Sequence, residues 1–156
     1  MKPLKILELT TYTAGVCGVG ARVLYESELL SARGHEVRIF STNHVKGDPK
    51  ALAPIEEERG KVQIKRFPAK KLGGESYTVW DEKALTKEII TYHPDIIIAH
   101  GYRHTHTIIA SRIAKKINAK CILVTHAPFD AKGSHRPLLA QYLIKYLHDP
   151  FVGRPA

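Results

Sequence analysis

Short apolar runs alternate along the chain with stretches whose apolar residues recur at helical spacing. Lys5-Ile6-Leu7-Glu8-Leu9-Thr10 reads as a first strand. From Val19 to Ala32, residues Val19, Val23, Leu24, Ser27 and Leu30 share one face of a helix. Gly34 suits a left-handed cap after that helix, and Arg33 complements the negative end of its dipole. Glu36 to Ser41 forms a second strand pattern, and Val62 to Phe67 a third that is alternating and more exposed. The polar, proline-containing stretch between them, with Glu56-Glu57-Glu58, reads as a loop on the rim of a sheet. Gly73-Gly74 marks a turn, and Thr78-Val79-Trp80-Asp81 fits a capping box that opens a helix. That helix should end near His93, because Pro94 disfavours helical geometry in the residue before it.

Asp95-Ile96-Ile97-Ile98-Ala99 is a continuous apolar run, the pattern of a strand buried on both faces. The next helix turns Ile109, Ala110, Ile113, Ala114 and Ile117 inward and Arg112, Lys115 and Lys116 outward. Cys121 to Val124 supplies a fifth strand, and a last helix starts near Pro137, a favoured first helical position. Five strands separated by helices predict an α/β fold with a doubly wound parallel sheet, as a single domain over residues 1–156. Such sheets bind ligands beyond the carboxyl ends of their strands.

At the exit of strand one stands Thr10-Thr11-Tyr12-Thr13-Ala14-Gly15-Val16-Cys17-Gly18-Val19-Gly20. Gly18 and Gly20 let the backbone approach a ligand, and the helix that follows points free N–H groups and a positive dipole end at it. A phosphate or another oxygen-rich group is the natural occupant; the competing reading is that the glycines serve a tight turn alone. The spacing is not G-x-G-x-x-G, and strand two ends in Ser41-Thr42-Asn43-His44 without an acid for a ribose, which argues against a nicotinamide enzyme. His100 and His126 end the fourth and fifth strands, two adjacent central strands in this reading, and face the glycine loop. Imidazole there can donate to sugar hydroxyls or move protons near neutral pH. His35, His44, His93 and His148 read as structural. His100, His104, His106 and His126 with Asp130 hold enough nitrogen and oxygen for a metal, but His104-Thr105-His106 straddles a helix start and H-E-x-x-H is absent, so neither metal nor cofactor is expected. Without G-x-S-x-G or a lysine-bearing P-loop, serine hydrolase and P-loop nucleotidase chemistry are excluded.

Composition narrows the class further. With 44% hydrophobic and 25% charged residues the chain is neither a disordered tail nor a disulfide scaffold. Cys17 and Cys121, each in a segment that reads as core, imply buried, reduced thiols and a cytoplasmic setting. No apolar run approaches the roughly 20 residues that span a bilayer. Twenty-four Lys and Arg against 15 Asp and Glu leave a formal charge of +9, which favours anionic partners. The basic residues are not interleaved with aromatics, so nucleic acid is not among the expected partners.

The strand Lys5–Thr10, the loop Gly18-Val19-Gly20, the run Ala32-Arg33-Gly34-His35-Glu36-Val37, the strand Pro94–His100 and Val124-Thr125-His126, in this order, resemble the N-terminal domain of a retaining GT-B glycosyltransferase of family 4. The resemblance covers essentially the whole chain. It implies a Rossmann-like domain that mainly holds the acceptor, facing a C-terminal domain that binds the nucleotide-sugar donor. By that resemblance Gly18, Val19 and Gly20 lie near the donor phosphates and the acceptor. His126 is the catalytic residue beside the transferred sugar, and His100, Tyr102 and Arg103 lie on the acceptor side. The implied partners are a nucleotide-sugar, a glycan or lipid-linked acceptor and an anionic membrane surface on which the protein sits peripherally. Cys17-Gly18 stands where the family has adjacent glycines. The family's basic pair and acidic motif for the donor have no counterpart here, so the 156 residues are expected to be a fragment or one half of a split enzyme, inactive alone. A free-standing sugar- or phosphate-binding domain and a metal-dependent hydrolase using the histidines are the alternatives. An unpaired edge on strand five would favour self-association.

Overall fold

A computed structural model describes residues 2–72, 78–101 and 104–126. The elements run in chain order: β1 (Lys5–Leu9), β2 (Ala14–Gly15), α1 (Gly18–Ala32), β3 (Glu36–Thr42), β4 (His44–Lys46), β5 (Asp48–Leu52) and β6 (Glu56–Arg59). There follow β7 (Val62–Phe67), β8 (Ala69–Lys71), β9 (Thr78–Trp80), α2 (Glu82–Tyr92), β10 (Ile96–His100), α3 (Thr105–Ile117) and β11 (Lys120–Val124). The expected Gly73-Gly74 turn and the helix near Pro137 lie outside the described residues.

The main sheet has the order β11-β10-β1-β3-β7-β6, with every pairing parallel except β6 with β7. Alternation decides what each strand buries. Leu7, Leu9, Phe40, Ile97 and Ala99 point to one face, where Leu85, Ile89 and Tyr92 of α2 and Ile109, Ala110 and Ala114 of α3 pack on them. On the other face, Val23 of α1 closes over Ile39, Val62 and Ile64, with Val19 and Leu24 beside it. Helices on both faces of a mainly parallel sheet make the architecture doubly wound, as the sequence pattern implies.

Four expectations need correction. The polar stretch between β3 and β7 is not a loop: β4 and β5 pair antiparallel within it, and Glu56–Arg59 is an antiparallel edge strand whose backbone pairs with β7 while most of its side chains remain in water. β7 is therefore flanked on both sides, and its burial is greater than its alternation suggested. Thr78 does not cap a helix. It belongs to β9, pairs with Lys71 and accepts a hydrogen bond from Trp80 Nε1; Asp81 is the cap, accepting the Ala84 N–H at 3.0 Å. Finally, β11 is the sheet edge among the described residues rather than a central strand, so Cys121 is exposed, and Cys17 is only half-buried at the start of α1. The edge position strips β11 of a neighbour on one side, which an apolar tetrapeptide cannot reveal.

Candidate functional site

The exit of β1 is built by close backbone contacts. Gly15 makes the tight turn, with φ +83°, and a Cβ there would run into the Lys46 backbone paired beside it. Gly20 lets α1 press against β1: a Cβ at Gly20 would collide with the Tyr12 carbonyl oxygen. Gly18 is different, because a Cβ there would meet nothing within 4 Å among the described residues. The two glycines singled out in the sequence thus have separate tasks. Gly20 serves packing, Gly15 takes the turn, and Gly18 leaves open space over the first turn of α1.

That space belongs to a cavity of about 340 Å³ between Thr13, Val16, Cys17, Gly18 and Leu24. Cys17 caps α1 with extended backbone, and its Sγ accepts the Gly20 N–H at 3.4 Å. The remaining amides of the first turn, which have no partner within a helix, and the positive dipole end suit an oxygen-rich ligand. Among the described residues the cavity lining carries no charged side chain. Below the loop, Arg66 is buried and holds the β1 exit in place. Its guanidinium donates to Thr13 Oγ1 (2.9 Å), the Pro54 carbonyl (2.9 Å) and Glu57 (2.6 Å), and Thr13 and Ser41 hydroxyls pair at 2.7 Å.

A second group lies on the sheet face that α1 covers. Glu8 is level with Ile98, and His100 is level with Val124. With a side-chain period of two, His100 sits one strand over and two residues on from Glu8, and His126 repeats the step beyond Val124. The side chains therefore meet in a diagonal row. His100 Nε2 lies 2.6 Å from Glu8 Oε2, and His100 Nδ1 lies 3.0 Å from His126 Nε2, with the two imidazoles stacked at 17°. Glu8 and His100 are fully buried, whereas His126 is exposed. Burial holds the Glu8 carboxyl above the usual carboxylate range, against the opposing pull of the His100 hydrogen bond. Burial, with the nearby charges of His100 and Arg22, lowers the pKa of His126, while Glu26 acts in the opposite sense. Arg22 and Glu26 both lie on α1, so the loop's helix and the histidine row share one electrostatic neighbourhood.

Of the residues expected at the site, Gly18, Val19 and Gly20 begin α1, and His126 stands exposed past β11. His100 is buried and hydrogen-bonded to His126. Tyr102 and Arg103 lie outside the described residues, as do Asp130 and His148. His104 caps α3, and His106 is buried on the opposite sheet face, its Nε2 at 2.8 Å from the His100 carbonyl and its ring against Trp80. Burial lowers the His106 pKa to about 3, so it is uncharged. Among the described residues no three His, Cys, Asp or Glu converge as metal ligands would. His35 accepts the Leu4 N–H, His44 meets the Ala69 carbonyl and His93 is the left-handed cap of α2. Glu8 was not anticipated. Its signal was a carboxylate inside the apolar run Ile6-Leu7-Glu8-Leu9, since buried acids are rare unless paired.

The family model described as Glycosyltransferase Family 4 matches residues 16–153. No curated protein matches the chain. Among solved structures, the chain is similar to the Bordetella bronchiseptica enzyme WbmH in complex with NAD+, at 17% identity and a TM-score of 0.45, over 76% of this chain and 37% of that one. The chain thus spans little more than a third of that structure's length. On the family match over most of its length, this chain belongs to Glycosyltransferase Family 4.

Proposed function

We propose that the chain is the acceptor-binding half of a retaining glycosyltransferase, which moves a hexosyl group from a nucleotide-sugar to a glycan or lipid-linked acceptor. The observation that supports this, in a chain of this family, is the presence of two features at the same end of the sheet: the open first turn of α1 at Gly18 and the exposed imidazole of His126. In this reading the helix amides receive an oxygen-rich group of the bound substrates, and His126 hydrogen-bonds the sugar being transferred. Tyr102 and Arg103 contribute on the acceptor side.

An uncharged cavity lining gives only dipoles to a departing diphosphate, whose charge needs cations to stabilise it. Turnover therefore requires a donor-binding domain, in the same polypeptide or as a separate subunit, and the 156 residues alone are inactive. In this reading the protein is cytoplasmic, and its +9 charge draws it to an anionic membrane surface carrying the acceptor.

The test is an amide NMR titration of the ¹⁵N-labelled chain with nucleoside diphosphate hexoses and simple glycosides, paired with a turnover assay. We expect saturable shifts at Gly18, Val19 and Thr125–His126, and no turnover without a donor-binding domain. Ligands that leave all of these amides unmoved would overturn the assignment.

A further inference from the structure

The row Glu8–His100–His126 has a consequence beyond holding a side chain in place. His126 Nε2 is occupied by His100 Nδ1 at 3.0 Å, so only its Nδ1 remains for a ligand. Whether that nitrogen donates or accepts depends on which of the two histidines supplies the hydrogen between them. His100 answers to Glu8 through its other nitrogen, at 2.6 Å.

The possibilities can be counted. If Glu8 is ionised and His100 carries a hydrogen on Nε2 alone, His100 Nδ1 must accept from His126 Nε2–H. His126 then presents a bare, accepting Nδ1, and the row bears a net negative charge in a fully buried position. If the row holds one more proton, it is neutral overall. That proton lies on Glu8 Oε2, on His100 Nε2 across the short bond, or on His126 Nδ1. In the first two cases His100 Nδ1–H donates to His126 Nε2, and His126, uncharged, carries a hydrogen outward on Nδ1. In the third His126 is an imidazolium, and the buried Glu8 carboxylate is separated from that charge by the whole width of a neutral His100.

A lone buried charge is strongly disfavoured, whereas a neutral hydrogen-bonded row is not. The groups around the row pull both ways, with burial the largest influence on each end. Burial of Glu8, with the charge of Glu26 on α1, favours retaining the extra proton, against the His100 hydrogen bond and Arg22 of α1. Burial, with His100 of β10 and Arg22 of α1, opposes a positive charge on His126 itself, against Glu26. His106 of α3, uncharged, meets the row at the His100 carbonyl, from the opposite sheet face.

We propose that Glu8 and His100 are positioning residues that hold His126 as an uncharged imidazole donating through Nδ1. The role this gives them in transfer rests on the glycosyltransferase reading above. A neutral donor can bond a sugar hydroxyl without setting a full positive charge beside a carbon that itself becomes positive as the glycosidic bond breaks. Glu8 and His100 touch no substrate in this scheme; they act through His126.

Long-range ¹H–¹⁵N correlation of the imidazole rings in the ligand-free 156-residue chain reads the tautomer directly, independently of whether any sugar binds. At neutral pH we expect a protonated Nδ1 and a bare Nε2 on His126. Glu8→Gln should keep that tautomer, because the amide N–H can donate to His100 Nε2 as the carboxyl does. Glu8→Leu should lose it, giving a mixture of tautomers in a chain whose fold is checked by its amide spectrum. An Nε2–H form, a tautomer mixture or an imidazolium in the unmutated protein would overturn the proposal, and that spectrum decides the matter if Glu8→Leu does not fold. One tautomer unchanged in all three proteins would overturn the part given to Glu8. Loss of sugar binding with the Nδ1–H form intact would instead count against the functional reading alone.

Discussion

Gly18 and Gly20, two residues apart in one motif, should respond to alanine in opposite ways. At Gly20 a new Cβ would overlap the Tyr12 carbonyl oxygen and stand 3.3 Å from its carbon. Both belong to backbone at the end of β1, which Thr10 N–H and Thr11 carbonyl bonds to β3 hold in place. Relief needs the helix to retreat by something on the order of an ångström, because packed non-bonded carbons settle at roughly 3.5–4.0 Å. Overpacking of this kind costs about 1–3 kcal/mol. Against it stands the gain of up to about 1 kcal/mol for alanine over glycine in a helix. The net expectation for Gly20→Ala is a loss of about 1–2 kcal/mol, or about 2–8 °C in Tm for a chain of this size. Gly18→Ala meets no atom within 4 Å among the described residues and should leave Tm unchanged or raise it by up to about 4 °C. The same methyl fills space over the first turn of α1, so under the proposed function Gly18→Ala weakens ligand shifts in the NMR titration although the protein is no less stable. Thermal unfolding followed by circular dichroism, with both variants beside the parent, measures the difference. A Gly20→Ala protein as stable as the parent would refute the packing role given to that glycine.

Further expectations follow from the same geometry. Asp81→Ala removes the cap from an 11-residue helix and should cost about 1 kcal/mol, whereas Asp81→Asn should cost little; urea midpoints separate them. Glu57→Ala leaves the buried Arg66 guanidinium without its carboxylate. The cost, about 1–3 kcal/mol, is less than for a fully buried pair because Glu57 is itself 39% exposed; an unchanged urea midpoint would show that the Arg66 network does not hold the loop. His106, with its pKa lowered from 6.5 to about 3, binds fewer protons folded than unfolded. Its contribution is complete above 6.5 and is lost as pH falls towards 3, so His106→Gln should flatten the fall in stability across that window. Glu8 has the opposite sign. Its raised pKa means the folded form binds more protons above 4.5, so Glu8→Gln should gain stability relative to the parent as pH rises; a constant difference between the two would argue against a protonated Glu8.

The five parallel strands could be read from the sequence because each is a short stretch of recurring apolar residues set apart by helical patterns or turn residues, and Ile96-Ile97-Ile98-Ala99 leaves little choice. Glu56–Arg59 could not, since an edge strand gains its place through backbone bonds and keeps charged side chains in water, like a loop. Thr78–Trp80 failed for a related reason. A threonine three residues before an aspartate fits a cap, yet the strand β8 that claims Thr78 lies earlier in the chain and declares nothing about its partner. At the site, the glycines were visible as glycines, but their division of labour depends on which backbone lies opposite each one. His126 and His100 were visible as strand-end residues. That they join Glu8 in a row depends on β1, β10 and β11 being neighbours in that order, which strand patterns alone do not determine.

The two halves of the site have in common that they offer polarity without charge. The α1 turn presents amides, the cavity lining has no acidic or basic side chain among the described residues, and under the proposed tautomer the buried row leaves His126 neutral. Arg66, a buried cation bonded to the loop's Thr13, spends its other donors on Pro54 and Glu57 and turns none to the cavity through those bonds. Such a surface can orient a sugar and exclude wrong geometries, because hydrogen bonds are directional. It cannot offset the two negative charges of a leaving diphosphate, which calls for cations brought within a few ångströms. The division predicts how mutations here will behave in an active assembly. Loss of Gly18 or His126 should impair placement of the sugar, and supplying more donor should not restore the rate. A His126 variant whose deficit vanishes at saturating nucleotide-sugar would place that histidine in donor affinity alone, and would remove the reason for a neutral, oriented imidazole at the end of β11.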